Sequence, residues 1–491
     1  MAFLTSGIKI LNEKEVERIH KASVRLLQTT GMMIEHERML GLLEGFGAEV
    51  DTNTMTVRFS EKLISDCLKK QVEKTNNGRK ARNSYVDLNN ETSEIPAKLG
   101  LTTHIFCISV NDMHTGDIRA ATLKDLHESA VVADTLASIG SVGPLVVPGD
   151  VPVYANDAYM WAELLKTSNK TISGELFNIK CIPYILDMCR VAKGENGGSL
   201  MAYPCFPSSP FSYSRYALDM AFCAIDLKIS VRFGGSMVVA GFTGPVTLAG
   251  SLTVSIAESL ASMVMAEAVS ESIPGVDITG SLGVSINNNP LNGTALYASP
   301  EKTLMSFAIS DIAKFYGYAH WRGGGHTNAS DSCFPGHQAG IEKGSTMMLN
   351  LLAGGGGGMC GMVSPECASL PQMVIDDEIC GLVNRYGRGI EVNDDTIAYD
   401  LIQNLGIHGN YIDTGCEEAI EHLSSHFKTE NHISNFWIRE RPDYWQRNKT
   451  DMVNLAKNRV VDILKKEQPA PLDDYKVNEI NSLLRACAGE G

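Results

Sequence analysis

An α/β protein built on an eight-stranded (β/α)8 TIM barrel, with α-rich N- and C-terminal extensions, is the fold class that this 491-residue sequence predicts. Three observations carry the prediction. From about residue 140 a short apolar run ending in glycine, proline or a polar residue is followed by an amphipathic helical pattern, and the unit recurs roughly seven times. Such alternation implies parallel strands joined by right-handed crossovers. Composition is ordinary for a globular chain, with 44% hydrophobic and 20% charged residues, which excludes wholesale disorder and fibrous states. A doubly wound open sheet is the second choice of architecture.

The N-terminal extension, residues 1–138, opens with a helix. Asn12 and Glu15 have capping-box spacing, and Val16, Ile19, Val24 and Leu27 follow at helical intervals. AEVDTNTMTVRFS alternates around a polar turn and predicts a hairpin; HIFCISVNDMHTGDIRAAT repeats the pattern around a tight MHTG connection. Thr122 and Asp125 cap the next helix.

The barrel region, residues 139–393, takes its strands from SVGPLVVPGD, KTISGELF, SLMAYPCFPSSP, ISVRFGGSMVVAG, VDITGSLGVS, YAHWRGGGHTNAS and GGMCGMVSP. A helical pattern follows each, and one flanking strand closes the barrel. Chemistry is then expected beyond the carboxyl ends of the strands, where Glu175, Tyr203, Phe206, Ser236, Asn287, Trp321 and Arg322 fall. The last part, residues 394–491, returns to helices such as KNRVVDILKK and is expected to pack on the barrel.

A net charge of −15, without a Lys/Arg-rich block, argues against a nucleic-acid partner. The opening residues lack a basic n-region followed by an apolar h-region, and no window gives about 18 uninterrupted apolar residues, so a cytoplasmic protein without a membrane span is expected. Twelve scattered cysteines, none in a CxxC, fit reduced thiols.

The motifs for common chemistries are weak or absent. AGGGGGMCG holds a formal GxGxxG at Gly356, Gly358 and Gly361, but a helical pattern precedes it and SPECASLP follows, the reverse of a dinucleotide fingerprint; a nucleotide-dependent oxidoreductase is the remote alternative. No GxxxxGK[ST] and no GxSxG occurs. Glu418, His422 and His426 share a helix face, and His320, His326 and His337 surround a glycine-rich loop, but neither set has strong zinc spacing, so no intrinsic metal is expected. WRGGGHT, Trp321 to Thr327, joins an aromatic face, a fixed cation and an imidazole, which suits an anionic or zwitterionic small molecule or, alternatively, a packed Trp and a paired Arg.

Taken together, VNDMHTGDIRAATLKDLHESAVVADTL, the strand-helix series, the WRGGG loop, QAGIEKGSTMM and VIDDEICGLVNRYGRGIEV resemble the trimethylamine:corrinoid methyltransferase family over nearly the whole chain. The resemblance implies a (β/α) barrel that transfers a methyl group from an amine to cobalt in a separate corrinoid (cobalamin) protein. The chain is written in the twenty standard letters, so the resemblance is to the non-pyrrolysine branch, which includes glycine betaine:corrinoid methyltransferases. A second departure lies in GNYIDTGCEEAIEHL, where Asp413 and Thr414 replace the His-Thr pair common in the family.

On this resemblance the expected reaction is demethylation of glycine betaine to dimethylglycine, with trimethylamine, carnitine, proline betaine or γ-butyrobetaine as alternative donors. A quaternary ammonium already carries a neutral leaving group, so in-line attack needs no proton donor, and the protein's task is positioning and desolvation. Trp321, Tyr203 and Phe206 are then expected against the trimethylammonium, and Glu175 as a compensating charge. Arg322, His326 or His337 is expected at the carboxylate, with Asn287 as a further polar candidate. Gly323, Gly324, Gly325, Gly356, Gly357 and Gly358 are expected to admit the corrin ring. The partners implied are a quaternary amine and a cognate corrinoid protein, and a homo-oligomer is expected.

Overall fold

The structure, a computed structural model, describes residues 9–81, 99–194, 203–289, 291–319, 328–352, 357–364, 366–412, 415–434, 437–466 and 472–489. Within them the chain is mixed α/β. Two all-parallel sheets form its centre: Gly357–Met359, Gly100–Thr102, Ile139–Val142 and Thr171–Ile172 in that order, and Ile278–Ser281, Val231–Gly234 and Tyr203–Cys205. Each strand segment read from the sequence holds an observed strand except YAHWRGGGHTNAS, of which residues 320–327 lie outside the described set. The flanking strand that the sequence left unplaced is Gly100–Thr102, which joins the last parallel strand to Ile139–Val142.

ISVRFGGSMVVAG forms two strands rather than one. Gly234 and Gly235, at φ +98° and +81°, interrupt it, and Met237–Ala240 continues beside Val284–Asn288 beyond the carboxyl ends of the central strands. Ala295–Leu296 adds an antiparallel edge to that pair.

The N-terminal elements are woven into the centre. Both capping boxes form, at Asn12 with Glu15 and at Thr122 with Asp125. Both hairpins form as well: Glu49–Asp51 with Thr56–Arg58, and Ser109–Asn111 with Ile118–Ala120, where Asp112 accepts the turn N–H groups of His114 and Thr115 at 2.9 and 3.2 Å. The sequence does not show that Met32–Ile34 pairs in parallel with Ser212–Tyr213, or that Cys367–Ala368 pairs with Ser109–Asn111. These are non-local pairings between short strands, and local periodicity carries no trace of them.

Two apolar clusters hold the layers. One gathers Leu101, Ile139, Trp161, Ile185 and Met373; the other gathers Leu27, Phe59, Phe233, Leu260 and Ile309. Helix Leu248–Ser272 is long and apolar enough to cross a membrane by composition, yet it is mostly buried inside the protein, where it packs against Glu13–Thr29 and strand Ile278–Ser281. Helix Met452–Lys466 packs on Leu370–Gly387, and Asp474–Gly489 packs on Ile182–Lys193.

Candidate active site

Alternation along Val231–Gly234 separates two faces. Val231 and Phe233 are buried in the apolar cluster on the helix side, so Arg232, in register with Pro204 and Thr279, faces the opposite side, inside the sheet. Its guanidinium makes no hydrogen bond or ion pair among the described residues. Burial lowers its pKa, and the nearby Glu175 carboxylate offsets that in part.

Glu175 lies three residues beyond Thr171–Ile172. Burial pushes its carboxyl up to about 6, against the pull of Arg232. The carboxylate, like the guanidinium, has no hydrogen-bond partner among the described residues. Its backbone N–H donates to Nε2 of His104 at 3.2 Å, which requires that nitrogen to be unprotonated. Burial, with a contribution from Arg232, lowers the His104 pKa to about 4, so the ring is neutral at pH 7 and Nδ1 carries the hydrogen.

An aromatic row adjoins this group. Phe106 meets His104 edge to face at 5.1 Å and Phe177 at 4.9 Å. Phe106 holds a left-handed φ of +65°, fixed by its N–H donating to the carbonyl of Pro144 at 3.0 Å. Buried Asp157 fixes the Phe177 end, accepting from the N–H groups of Phe177 and Asn178 at 2.6 and 2.7 Å. Gly143 makes the assembly possible: a Cβ there would lie 2.3 Å from the Ser173 carbonyl oxygen and 2.8 Å from His104 Cβ.

The residues expected from the sequence divide. Glu175 stands in the buried group. Phe206 sits at the carboxyl end of its strand, 40% exposed, with its ring so close to Gly235 that a Cβ there would come within 2.9 Å. Tyr203 is in register with Val231 and Ile278, on the strand face opposite to Arg232, and lines a small cavity with Glu175, Ile182 and Ile229. Asn287 accepts the hydroxyl of Ser299, the N-cap of helix Pro300–Phe315, so its oxygen anchors that helix. His337 is exposed at the start of helix His337–Leu352, and no described contact joins it to the His104 group. Gly357 and Gly358 lie in a strand beside Gly100 and Leu101, not in a helix-to-strand loop, and neither has positive φ. Trp321, Arg322, Gly323, Gly324, Gly325, His326 and Gly356 lie outside the described residues, as do Asp413 and Thr414.

His104, Phe106, Phe177 and Arg232 are the residues that sequence reasoning missed. For Arg232 a signal existed: it is a lone cation inside the apolar run ISVRFGG, where a solvated role is excluded. Elsewhere, Gly361 leads into strand Met362–Ser364 rather than a helix, so the formal GxGxxG lacks the geometry of a dinucleotide site. Among the described residues no group of three or more His, Cys, Asp or Glu could hold a metal ion.

Similarity to known proteins extends over nearly the whole chain. The family model described as trimethylamine methyltransferase (MTTB) matches residues 4–486. The chain is 24% identical to a trimethylamine methyltransferase of Desulfitobacterium hafniense (strain DSM 10664 / DCB-2), covering 99% of this chain and 95% of that protein. It is 26% identical to a glycine betaine methyltransferase of Desulfitobacterium hafniense (strain Y51), over 99% and 98%, and 27% identical to a trimethylamine methyltransferase of Methanosarcina barkeri, over 95% and 92%. A solved structure, the monomethylamine methyltransferase of Methanosarcina barkeri, aligns with a TM-score of 0.40 at 11% identity over 94% of this chain and 96% of that one. With a match over nearly its whole length, the chain belongs to the trimethylamine methyltransferase (MTTB) family and is a methyltransferase.

Proposed function

We propose that this enzyme moves a methyl group from a zwitterionic quaternary amine, glycine betaine first, to the Co(I) of a corrinoid held by a separate protein, leaving dimethylglycine. One observation carries the choice of donor. Arg232 and Glu175 hold opposite charges close enough to perturb each other, and neither is neutralised by an ion pair among the described residues. A betaine answers both charges, its ammonium to Glu175 and its carboxylate to Arg232. Trimethylamine, the donor named in several relatives, has nothing to offer a guanidinium.

The residues' work in the reaction is positioning. The Phe177 and Phe206 rings and the Glu175 carboxylate hold the trimethylammonium, while Arg232 fixes the other end. Neutral His104 adds an Nδ1 donor without repelling the cation. The C–N bond breaks with its electron pair kept on nitrogen, so the site needs no proton donor. A corrinoid on its carrier supplies the nucleophile that takes the methyl group. The rim fits such a partner: Phe177, Phe206, Phe242 and Leu291 are apolar, exposed, and follow the carboxyl ends of parallel strands.

We read the two parallel sheets as parts of one closed (β/α) barrel. The last strand pairs with the first, Gly357–Met359 with Gly100–Thr102, as closure requires. The catalytic region then begins near Gly100 rather than at residue 139. Twelve cysteines without a disulfide support a cytoplasmic setting.

The test is anaerobic methyl transfer to free Co(I) cobalamin, followed by its absorption spectrum, with glycine betaine, other betaines, tetramethylammonium and trimethylamine as donors. Glycine betaine or a close betaine is expected to react fastest. Equal turnover of trimethylamine, or no reaction with any betaine, would reject the proposal.

A further inference from the structure

Cys181 and Cys487 meet across 306 positions of sequence, with their Sγ atoms 3.6 Å apart. Cys181 closes the short turn Ile179–Cys181 ahead of helix Ile182–Lys193, and Cys487 sits in the last turn of helix Asp474–Gly489. Both residues are buried. The Cys487 thiol donates to Cys181 Sγ, and Cys181 in turn donates to the Tyr154 carbonyl at 3.5 Å.

The two helices hold one another through other contacts as well. Lys476 Nζ donates to the Ala192 carbonyl at 3.2 Å, Lys166 Nζ to Asn481 Oδ1 at 3.4 Å, and Ile480 is buried in the same apolar cluster as Ile185. Packing therefore presents the two sulfurs to each other, and thiol rotation has to close 3.6 Å only to the ~2.0 Å of an S–S bond. The contact also reaches the candidate active site. The Tyr154 carbonyl accepts from the Asn178 amide, and the Tyr154 hydroxyl donates to the Ala488 carbonyl at 3.1 Å. The loop that carries Phe177 is thus suspended between Asp157, Tyr154 and the last turn of Asp474–Gly489.

We infer that Cys181 and Cys487 form a reversible disulfide, a modification site through which a small disulfide oxidant clamps helix Asp474–Gly489 onto the loop that bears Phe177. Burial and the hydrogen bond from Cys487 push the Cys181 thiol up to about 12, so the first step falls to Cys487, which fraying of the helix end uncovers. Its sulfur gives up a proton and attacks the small disulfide, releasing one small thiol. The Cys181 sulfur, losing its own proton, then displaces the second small thiol from Cys487. Two S–H groups and one small disulfide become one protein disulfide and two small thiols. Contact between the two sulfurs favours this second step over a lasting mixed disulfide.

The experiment equilibrates the full chain with oxidised glutathione, quenches with acid and maps the cysteines by mass spectrometry, with C487S beside the wild type. Cys333, which is exposed, should take up glutathione in both proteins and so marks the oxidant as active. The wild type is expected to yield a Cys181–Cys487 cross-link, with no glutathione on either residue, that dithiothreitol reverses. Hydrogen exchange at Phe177, Asn178 and residues 483–489 should slow about 10-fold or more in the oxidised wild type, with no such change in C487S. None of these readouts depends on the methyl donor. Glutathione that stays on Cys487, two unmodified thiols in a protein modified at Cys333, or a cross-link that leaves exchange at Phe177 and Asn178 unchanged would each overturn the proposal.

Discussion

In the proposed reaction, substrate choice turns on Arg232. A bidentate guanidinium–carboxylate contact is worth roughly 1.5–3 kcal/mol, so Arg232→Gln should raise KM for a betaine by about 10- to 100-fold and leave tetramethylammonium nearly untouched. Steady-state kinetics with the two donors reads this directly. Glu175 sets the pH response. Its folded pKa of about 6 lies above the ordinary 4.5, so the fold binds that proton more tightly than the unfolded chain; the group favours the fold below pH 4.5 and loses that contribution as pH rises through 6. Holding a cation demands the opposite state, so kcat/KM should rise through pH 6, and the limb should vanish in Glu175→Gln. Glu175 and Phe206 are expected from the sequence because both follow a strand end. It hid His104, Phe106 and Phe177, whose meeting depends on how three separate loops converge around Gly143. Tyr203 alternates with Val231, opposite to Arg232, and lines a small cavity with Glu175; that placement can be read only once the register with Val231 is known.

At the scale of elements, Gly143 and the Lys343–Asp376 pair make the sharpest predictions. Gly143→Ala would drive a methyl group into the Ser173 carbonyl, separating the loops that carry His104 and Glu175; a loss of about 2–4 kcal/mol in denaturant unfolding and a larger loss in kcat/KM are expected. Lys343 Nζ and Asp376 Oδ2 lie 2.8 Å apart with no exposure on either side chain, and Asp376 also accepts from the Gly361 N–H and the Gln372 amide. The pair locks helix His337–Leu352 to helix Leu370–Gly387. Asp376→Ala leaves a buried lysine without its counter-charge, and the same unfolding measurement should show a loss of about 3–5 kcal/mol. Helices, capping boxes and hairpins were legible because each is encoded by neighbours in sequence. The strand that completes the parallel series, Gly100–Thr102, was not, since three residues carry too little periodicity and its partners lie at Ile139 and Gly357. The stop at Gly234–Gly235 was visible as a glycine pair, but its effect, a second tier of paired strands, belongs to tertiary structure.

For the whole molecule, parallel strands gather buried charges and aromatic rings at one end, while the helices of residues 394–448 turn apolar side chains outward. The first feature is what the proposed donor, bearing both a cation and an anion, would answer. The central claim concerns the donor. Its most direct test is the ratio of kcat/KM for glycine betaine to that for tetramethylammonium, measured by methyl transfer to Co(I) cobalamin in the wild type and in Arg232→Gln. Selection of the carboxylate by Arg232 predicts a ratio well above one that falls by about 10- to 100-fold in the variant. A ratio near one in the wild type, or one that Arg232→Gln leaves unchanged, would contradict it.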